Sequence, residues 1–136
     1  MVAELGLDDD PRLVTTNSWG GSEGAQSMSR LLALDEPPTA VFAHSDEVAA
    51  GAIRTLRRVG LTPGQDLSVI GIDDHPLADL LDLTTIRQEP DEQGRRAARL
   101  LLDLLAGRDP SDVHLTVPTE LVVRGSTQRP PRASQR

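Results

Sequence analysis

The sequence predicts an α/β domain in which a largely parallel, Rossmann-like sheet is flanked by helices. Short apolar runs alternate along the 136-residue chain with longer segments in which apolar residues recur at helical spacing. The apolar runs are continuous, as in strands that are covered on both faces. A chain of this length suffices for one domain and is too short for two ordinary ones.

The first predicted unit is a strand followed by a helix. A short apolar run over 13–16 predicts the strand, and the polar, glycine-rich stretch after it predicts a turn. Helical spacing then indicates a helix over about 23–34, with Ser22 as its N-terminal cap.

A second unit follows two prolines. The continuous apolar run over 39–43 predicts a buried strand, and Ser45 is a good N-cap for the helix after it. Asp46 and Glu47 favour the positive start of this helix, and Gly60 ends it. Its predicted apolar stripe consists of Ala49, Ala52, Ile53 and Leu56.

The next stretch predicts two more strands, each followed by a helix. An apolar run over 67–72 predicts a strand, and a short helix is predicted over 77–81. A strand over 84–87 precedes a long helix that begins at Pro90 and ends at Gly107. The apolar positions of the long helix are Ala97, Ala98, Leu101, Leu102 and Leu105.

The end of the chain predicts two last strands, over 113–117 and 120–124. The segment 128–136 is basic and contains prolines, which is typical of a frayed tail. We therefore expect one domain over 1–127 and a disordered tail over 128–136.

Composition excludes several function classes. The net charge of −7 repels phosphate backbones and anionic lipid, so the chain by itself is not a DNA-binding or membrane-binding module. Trp19 and Phe42 are the only aromatic residues, too few for a base-stacking platform. The chain has no cysteine, no apolar run of about 20 residues and no signal-peptide order at its start, so we expect a cytoplasmic protein.

The candidate ligand site lies at the strand ends. In open α/β sheets, ligands bind outside the carboxyl ends of the strands, and polar side chains follow four of the predicted strands. Such side chains beside one flat apolar ring suit a small polar ligand, for example a sugar or a nucleoside. The candidates are Trp19, Ser45, Asp73 and Gln88, with Ser18, Asp46 and Asp74 as weaker members.

Several of these residues also have purely structural interpretations. Ser45 is an N-cap in any case, Asp46 suits a helix start, and Asp74 suits a turn. Trp19 is equally suited to covering an edge of the sheet.

Other kinds of site are weakly indicated. Two clusters in the sequence combine acidic residues with histidine and suggest a metal site. Neither has the spacing of a known metal motif, so we predict no metal and no cofactor. These groups are Asp73, Asp74, His75 and Asp79, and His44, Asp46 and Glu47. The stretch 20–22 before a helix predicts a turn more strongly than an anion site. A nucleophile elbow is also missing.

Five motifs in order cover nearly the whole chain: PTAVFA at 38–43, SDEVAAG at 45–51, DLSVIGIDD at 66–74, LTTIRQ at 83–88 and PTELVVRGST at 118–127. Together they resemble the C-terminal part of bacterial transcription regulators of the lactose/galactose-repressor (LacI/GalR) type. This resemblance implies a periplasmic-binding-protein-like sensor, dimeric, whose two lobes close on a sugar or similar effector and which is joined to a helix-turn-helix headpiece.

The resemblance also implies roles for single residues. Trp19 would pack on the effector, Asp73 would bind its hydroxyls, and Gln88 would lie at the crossover between the lobes. Ser45 stands where the family usually has asparagine, and its shorter side chain would reach less far toward the effector. Pro90 stands where the family can have an apolar pocket residue.

On this resemblance the chain begins inside the second lobe, so we expect a fragment that contacts operator DNA only through a headpiece outside it. The crossover elements over about 90–117 would pack on the other lobe. Leu101, Leu102 and Leu105 would then be exposed, so we expect the fragment either to self-associate through them or to be marginally folded.

Two further hypotheses stay open at this point. One is a solute-binding protein of a sugar transporter, which shares the fold. The other is a small α/β enzyme that uses Asp73 or Asp74, although neither has an evident second catalytic group. The resemblance itself implies a protein that is not an enzyme.

Overall fold

The structure, a computed structural model, describes residues 10–16, 19–108 and 115–129. After a 3-10 turn over Pro11–Leu13, helices and strands alternate along the chain. They are α1 (Gly21–Leu32), β1 (Ala40–Phe42), α2 (Asp46–Arg58), β2 (Ser68–Asp73), α3 (Pro76–Leu80), β3 (Thr84–Arg87), α4 (Pro90–Leu105) and β4 (Glu120–Val122).

The four strands form one sheet in the order β1-β2-β3-β4. β1 pairs with β2 and β2 with β3 in parallel, whereas β4 pairs antiparallel with β3. The predicted α/β class with a largely parallel sheet is thus confirmed. Because the first three strands are parallel, their carboxyl ends meet at one edge of the sheet, where the candidate site was predicted.

The core lies between this sheet and α2, which in turn packs on α1. All four residues of the predicted α2 stripe are buried, and Val69 of β2 lies beneath them. The two helices approach closely at glycines: a Cβ on Gly51 would lie 2.0 Å from the carbonyl oxygen of Gly21. The side chain of Met28 from α1 completes this core.

The opposite face of the sheet is open within the described ranges. The prediction of a strand within 39–43 is correct, but its burial is only partly correct, since Ala43 is buried while Phe42 of β1 is 62% exposed. A continuous apolar run indicates two covered faces, but here the helices cover only one.

Two predictions near the start of the described residues are wrong. The segment 13–16 is not a strand; Asp10 accepts a hydrogen bond from the N–H of Arg12, and Pro11 starts the capped 3-10 turn. Ser22 is not the cap of α1, because the helix begins at Gly21 with Gly20 at the N-cap. The Ser22 hydroxyl instead donates to the Glu23 carboxylate at 2.7 Å.

The later elements follow the predictions more closely. α2 starts after Ser45, β3 spans the predicted residues, and α4 begins at Pro90. The predicted last strand shortens to Glu120–Val122. Of the predicted strand over 113–117, residues 115–117 are not in a strand and the other two lie outside the described residues.

α4 has no buried residue, and four of its leucines are exposed: Leu101, Leu102, Leu104 and Leu105. No helix within the described ranges is both long and apolar enough to cross a bilayer. The division into a domain over 1–127 and a tail stays a prediction, since residues 130–136 lie outside the described residues.

Candidate functional site

Two of the predicted site residues touch at the carboxyl edge of the sheet. Asp73 is the last residue of β2 and Gln88 directly follows β3. The Gln88 side-chain amide donates to Oδ1 of Asp73 at 3.0 Å. An exposed carboxylate and a neighbouring amide therefore form one polar pair that can bind the hydroxyl groups of a ligand.

Ser45 lies at the end of the neighbouring strand and caps α2. Its Oγ accepts a hydrogen bond from the N–H of Val48 at 3.3 Å. The structural interpretation of Ser45 is therefore correct. It does not exclude a ligand contact, because a hydroxyl that accepts a bond still carries one donor.

Trp19 projects from the surface beside the same edge. Its side chain is 85% exposed, and its ring meets that of His44 edge to face with a centroid distance of 6.4 Å. His44 comes after β1 and directly precedes Ser45, so the indole of Trp19 lies near the end of β1 that carries Ser45. An exposed tryptophan is the flat apolar surface that a sugar ring or a base needs. Ser18 lies outside the described residues.

Asp46 is fully buried behind this surface. Its Oδ1 accepts from the hydroxyl of Thr85 at 2.6 Å, and its Oδ2 accepts from the N–H of His75 at 2.8 Å. Both carboxylate oxygens are thus engaged with β3 and with the turn after β2. The structure places Asp46 underneath the candidate site.

Asp74 binds two arginines and does not share the partner of Asp73. Its carboxylate accepts from Nε of Arg87 at 2.7 Å and from a terminal nitrogen of Arg124 at 2.8 Å. Arg124 also donates to the carbonyl of Leu83 at 2.9 Å. The hydrogen bond from Arg124, followed by that from Arg87, holds the pKa of the Asp74 carboxyl below its usual value.

Sequence reasoning missed the two arginines and Thr85. Arg87 and Arg124 each follow an apolar stretch, where a cation needs a partner, but carboxylates nearer in sequence than Asp74, such as Glu89 and Glu120, hid the pairing. Thr85 gave no signal, since threonine is an ordinary strand residue.

Neither metal hypothesis finds support in the geometry. Asp74 is bound to arginines, and Nδ1 of His75 accepts from the N–H of Leu77 at 3.2 Å. Across the described part of the chain, no group of three or more histidine, aspartate or glutamate side chains is placed to hold a metal. At the start of α1, the Glu23 carboxylate already occupies the first turn, where an anion would bind.

The candidate strand-end residues lie along one edge of the sheet. A cavity of about 710 Å³ lies elsewhere, on the open face of the sheet, and none of its lining residues is a predicted site residue. At the carboxyl edge, Trp19 and Asp73 are exposed, whereas Ser45 and Gln88 are half-buried. A ligand held here needs a second wall to bury most of its surface.

Known proteins resemble this chain over almost its whole length. Residues 1–127 match the family described as a periplasmic binding protein-like domain. The HTH-type transcriptional repressor CytR of Escherichia coli strain K12 is 41% identical over 132 residues, which are 96% of this chain and 39% of the repressor.

Solved structures share the fold. The complex of transcriptional regulator CelR with cellobiose is 33% identical, with a TM-score of 0.84 over 92% of this chain and 39% of that one. A LacI family transcriptional regulator from Enterococcus faecium with bound ribose is 30% identical, with a TM-score of 0.79 over 93% of this chain and 47% of that one. The chain therefore spans less than half the length of these relatives.

Proposed function

Because the chain belongs to the family of periplasmic-binding-protein-like domains that form the sensors of LacI-type transcriptional regulators, we propose that it binds a small polar effector on behalf of a DNA-binding repressor. The observation that carries this proposal is the Asp73–Gln88 pair at the carboxyl edge of the sheet. A sugar or a nucleoside is the proposed effector class, since cellobiose and ribose are bound in two structures that share the fold.

In this proposal three side chains contact the effector and a fourth, that of Gln88, orients one of them. The Asp73 carboxylate accepts hydrogen bonds from its hydroxyl groups, and the Gln88 amide orients that carboxylate. The Trp19 ring packs on an apolar face of the ligand, and the Ser45 hydroxyl donates from the side. Ser18 remains a weaker candidate.

Asp46 and Asp74 support the site from behind and do not reach the ligand. One is buried with both oxygens engaged, and the other is bound to two arginines. The partner of Asp73 is an amide, which cannot serve as a second catalytic acid or base. We therefore propose a binding function rather than an enzymatic one.

The effector would act by shifting a conformational equilibrium. An effector that binds the closed arrangement of two lobes more tightly than the open one favours closure. If closure changes the geometry of a dimer, the affinity for operator DNA changes with it. The net charge of −7 does not favour contact of this chain with DNA phosphates, so DNA contacts would come from a helix-turn-helix headpiece outside it. We propose that the regulator acts in the cytoplasm.

We expect Trp19 fluorescence to report effector binding without a label, because it is the only tryptophan. Titration with D-ribose, cellobiose and nucleosides should give one saturable change. A site with a single wall is expected to bind with a Kd on the order of 1 mM. The Asp73→Ala variant should lose the change.

The control is Asp35→Ala, which removes an exposed carboxylate away from the strand ends and should bind like the parent. Calorimetry with the same compounds covers binding that leaves the indole unchanged. If the folded chain responds to no compound by either method, or if Asp73→Ala binds normally, this chain does not hold the effector as proposed.

We further propose that the chain self-associates through α4. Leu101, Leu102 and Leu105 are 57%, 64% and 76% exposed, and a contiguous patch of this kind is unfavourable in water. Sedimentation velocity should therefore show mass increasing with concentration. Replacing Leu101 and Leu105 by glutamate should weaken the association on the order of tenfold or more.

Leu80→Glu is the matched control, since Leu80 is 79% exposed but lies on α3. It should leave the association unchanged. A stable monomer of the parent chain at all concentrations would contradict the role assigned to α4.

A further inference from the structure

The turn that carries Asp73 adopts an unfavourable backbone conformation. Asp73 has φ of 126° and Asp74 has φ of 56°, so two successive residues with side chains occupy the region that favours glycine. Such conformations persist where the surroundings determine them, and they cluster at functional sites. The residue that holds this turn therefore decides where the Asp73 carboxylate lies.

One carboxylate holds the turn through two successive backbone amides. The N–H of His75 donates directly to Oδ2 of Asp46 at 2.8 Å. The N–H of Asp74 donates to Oγ1 of Thr85 at 3.3 Å, and that hydroxyl donates in turn to Oδ1 of Asp46 at 2.6 Å. Both connections end on the same buried group, and they add to the two arginines that bind the Asp74 carboxylate.

The contacts of Asp46 connect three different strand ends. Asp46 directly follows Ser45 at the end of the β1 segment, binds the turn after β2, and binds Thr85 of β3. It therefore links the three strand ends that carry Ser45, Asp73 and Gln88.

β2 leaves room for this carboxylate. A Cβ on Gly71 would lie 2.2 Å from Oδ1 of Asp46 and 3.3 Å from its Cα. No side chain fits between the strand and the carboxylate, so glycine is required at this position for Asp46 to reach Thr85.

We propose that Asp46 is the positioning residue of the effector site: it fixes the 73–75 turn, directly and through Thr85, so that the Asp73 carboxylate meets Gln88 and the ligand. The inference deepens the proposed function, on which its ligand-binding part rests. Asp46 acts entirely through backbone amides and Thr85, and it touches no ligand.

The first test compares Thr85→Val with Thr85→Ser. Valine has nearly the shape of threonine but no hydroxyl, whereas serine keeps the hydroxyl and loses a methyl group. Amide hydrogen exchange at Asp74 and His75 should rise at least tenfold in the valine variant relative to the serine variant. Exchange in the centre of α2, at Ile53, should stay the same in both.

The second variant is Asp46→Asn, whose amide oxygen accepts from the His75 N–H while its amide nitrogen donates to Thr85. The negative acceptor is lost, so we expect at least tenfold faster exchange at Asp74 and His75. Glu47→Gln removes the neighbouring exposed carboxylate of the same first turn and should leave this exchange unchanged.

The binding experiment uses the compound that gives the largest change in Trp19 fluorescence with the parent chain. Asp46→Asn and Thr85→Val should bind it at least tenfold more weakly, and Thr85→Ser should bind it like the parent. Equal exchange in the valine and serine variants, or a rise that includes Ile53, overturns the positioning role. If the parent responds to no compound, the proposed function fails, while the exchange results still decide the role of Asp46.

Discussion

Gly51→Ala should destabilise the fold by about 3 kcal/mol or more, although alanine is the better helix former. Gly51 lies in α2 at the crossing with α1, and a Cβ there would lie 2.0 Å from the carbonyl oxygen of Gly21 and 2.8 Å from the backbone nitrogen of Ala25. Both neighbours are backbone atoms, so α1 must move away as a whole and its buried side chain Met28 loses packing. Urea unfolding followed by circular dichroism measures the loss as a lower midpoint at unchanged slope.

Gly94→Ala is the matched control for this change. Gly94 also lies inside a helix, but a Cβ there would meet nothing within 4 Å. Alanine should therefore stabilise α4 by about 0.5–1 kcal/mol, or leave global unfolding unchanged if α4 unfolds separately. If Gly51→Ala lowers the midpoint no more than Gly94→Ala does, the close approach of the two helices does not decide the outcome.

The helix crossing illustrates what a sequence pattern does not contain. Helical spacing identified the buried stripe of α2 correctly, including Ile53 and Leu56. Nothing in that pattern showed that Gly51 meets Gly21, because the contact depends on the partner helix. The periodicity of apolar residues shows which face of a helix is buried, but it does not show which element covers that face.

The wrong local predictions have a common cause. The predicted strand over 13–16 and the predicted Ser22 cap each depended on only one or two residues. In both places a different local interaction determines the observed structure. Longer signals were robust, as the start of α4 at Pro90 shows. The exposure of Phe42 depends on what lies over the open face of the sheet, which no local pattern reports.

The strand-end rule predicts a candidate site from the topology of the sheet alone. It placed Asp73 and Gln88 at one edge, and the structure shows them hydrogen-bonded there. It could not separate Asp73 from Asp46 and Asp74, since all three follow strands. Burial and the two arginine partners make that distinction, and both are tertiary properties.

Asp74→Asn should lower the free energy of unfolding by about 2 kcal/mol at pH 7, since it removes a charged acceptor shared by two arginines. The side chains of Asp74 and Arg124 are only 12% and 16% exposed, so water compensates little for the loss. Asparagine tolerates the positive φ of this residue, so the substitution tests the charge and leaves the backbone conformation unstrained. Urea unfolding of both proteins between pH 3 and pH 7 measures the difference.

The pH dependence separates this charge effect from a packing effect. Arg124 and Arg87 lower the folded-state pKa of Asp74, so its contribution is fully present above the ordinary carboxyl pKa of about 3.9 and is lost as the pH falls through the lowered value. The stability gap between parent and Asp74→Asn should therefore be constant from pH 7 to pH 5 and close in acid, where the parent carboxyl is protonated. Glu120→Gln removes the exposed partner of Arg87 and should change stability little, because its carboxylate stays in water. A gap that persists unchanged to pH 3 would show that asparagine disturbs the packing of the turn rather than its charge.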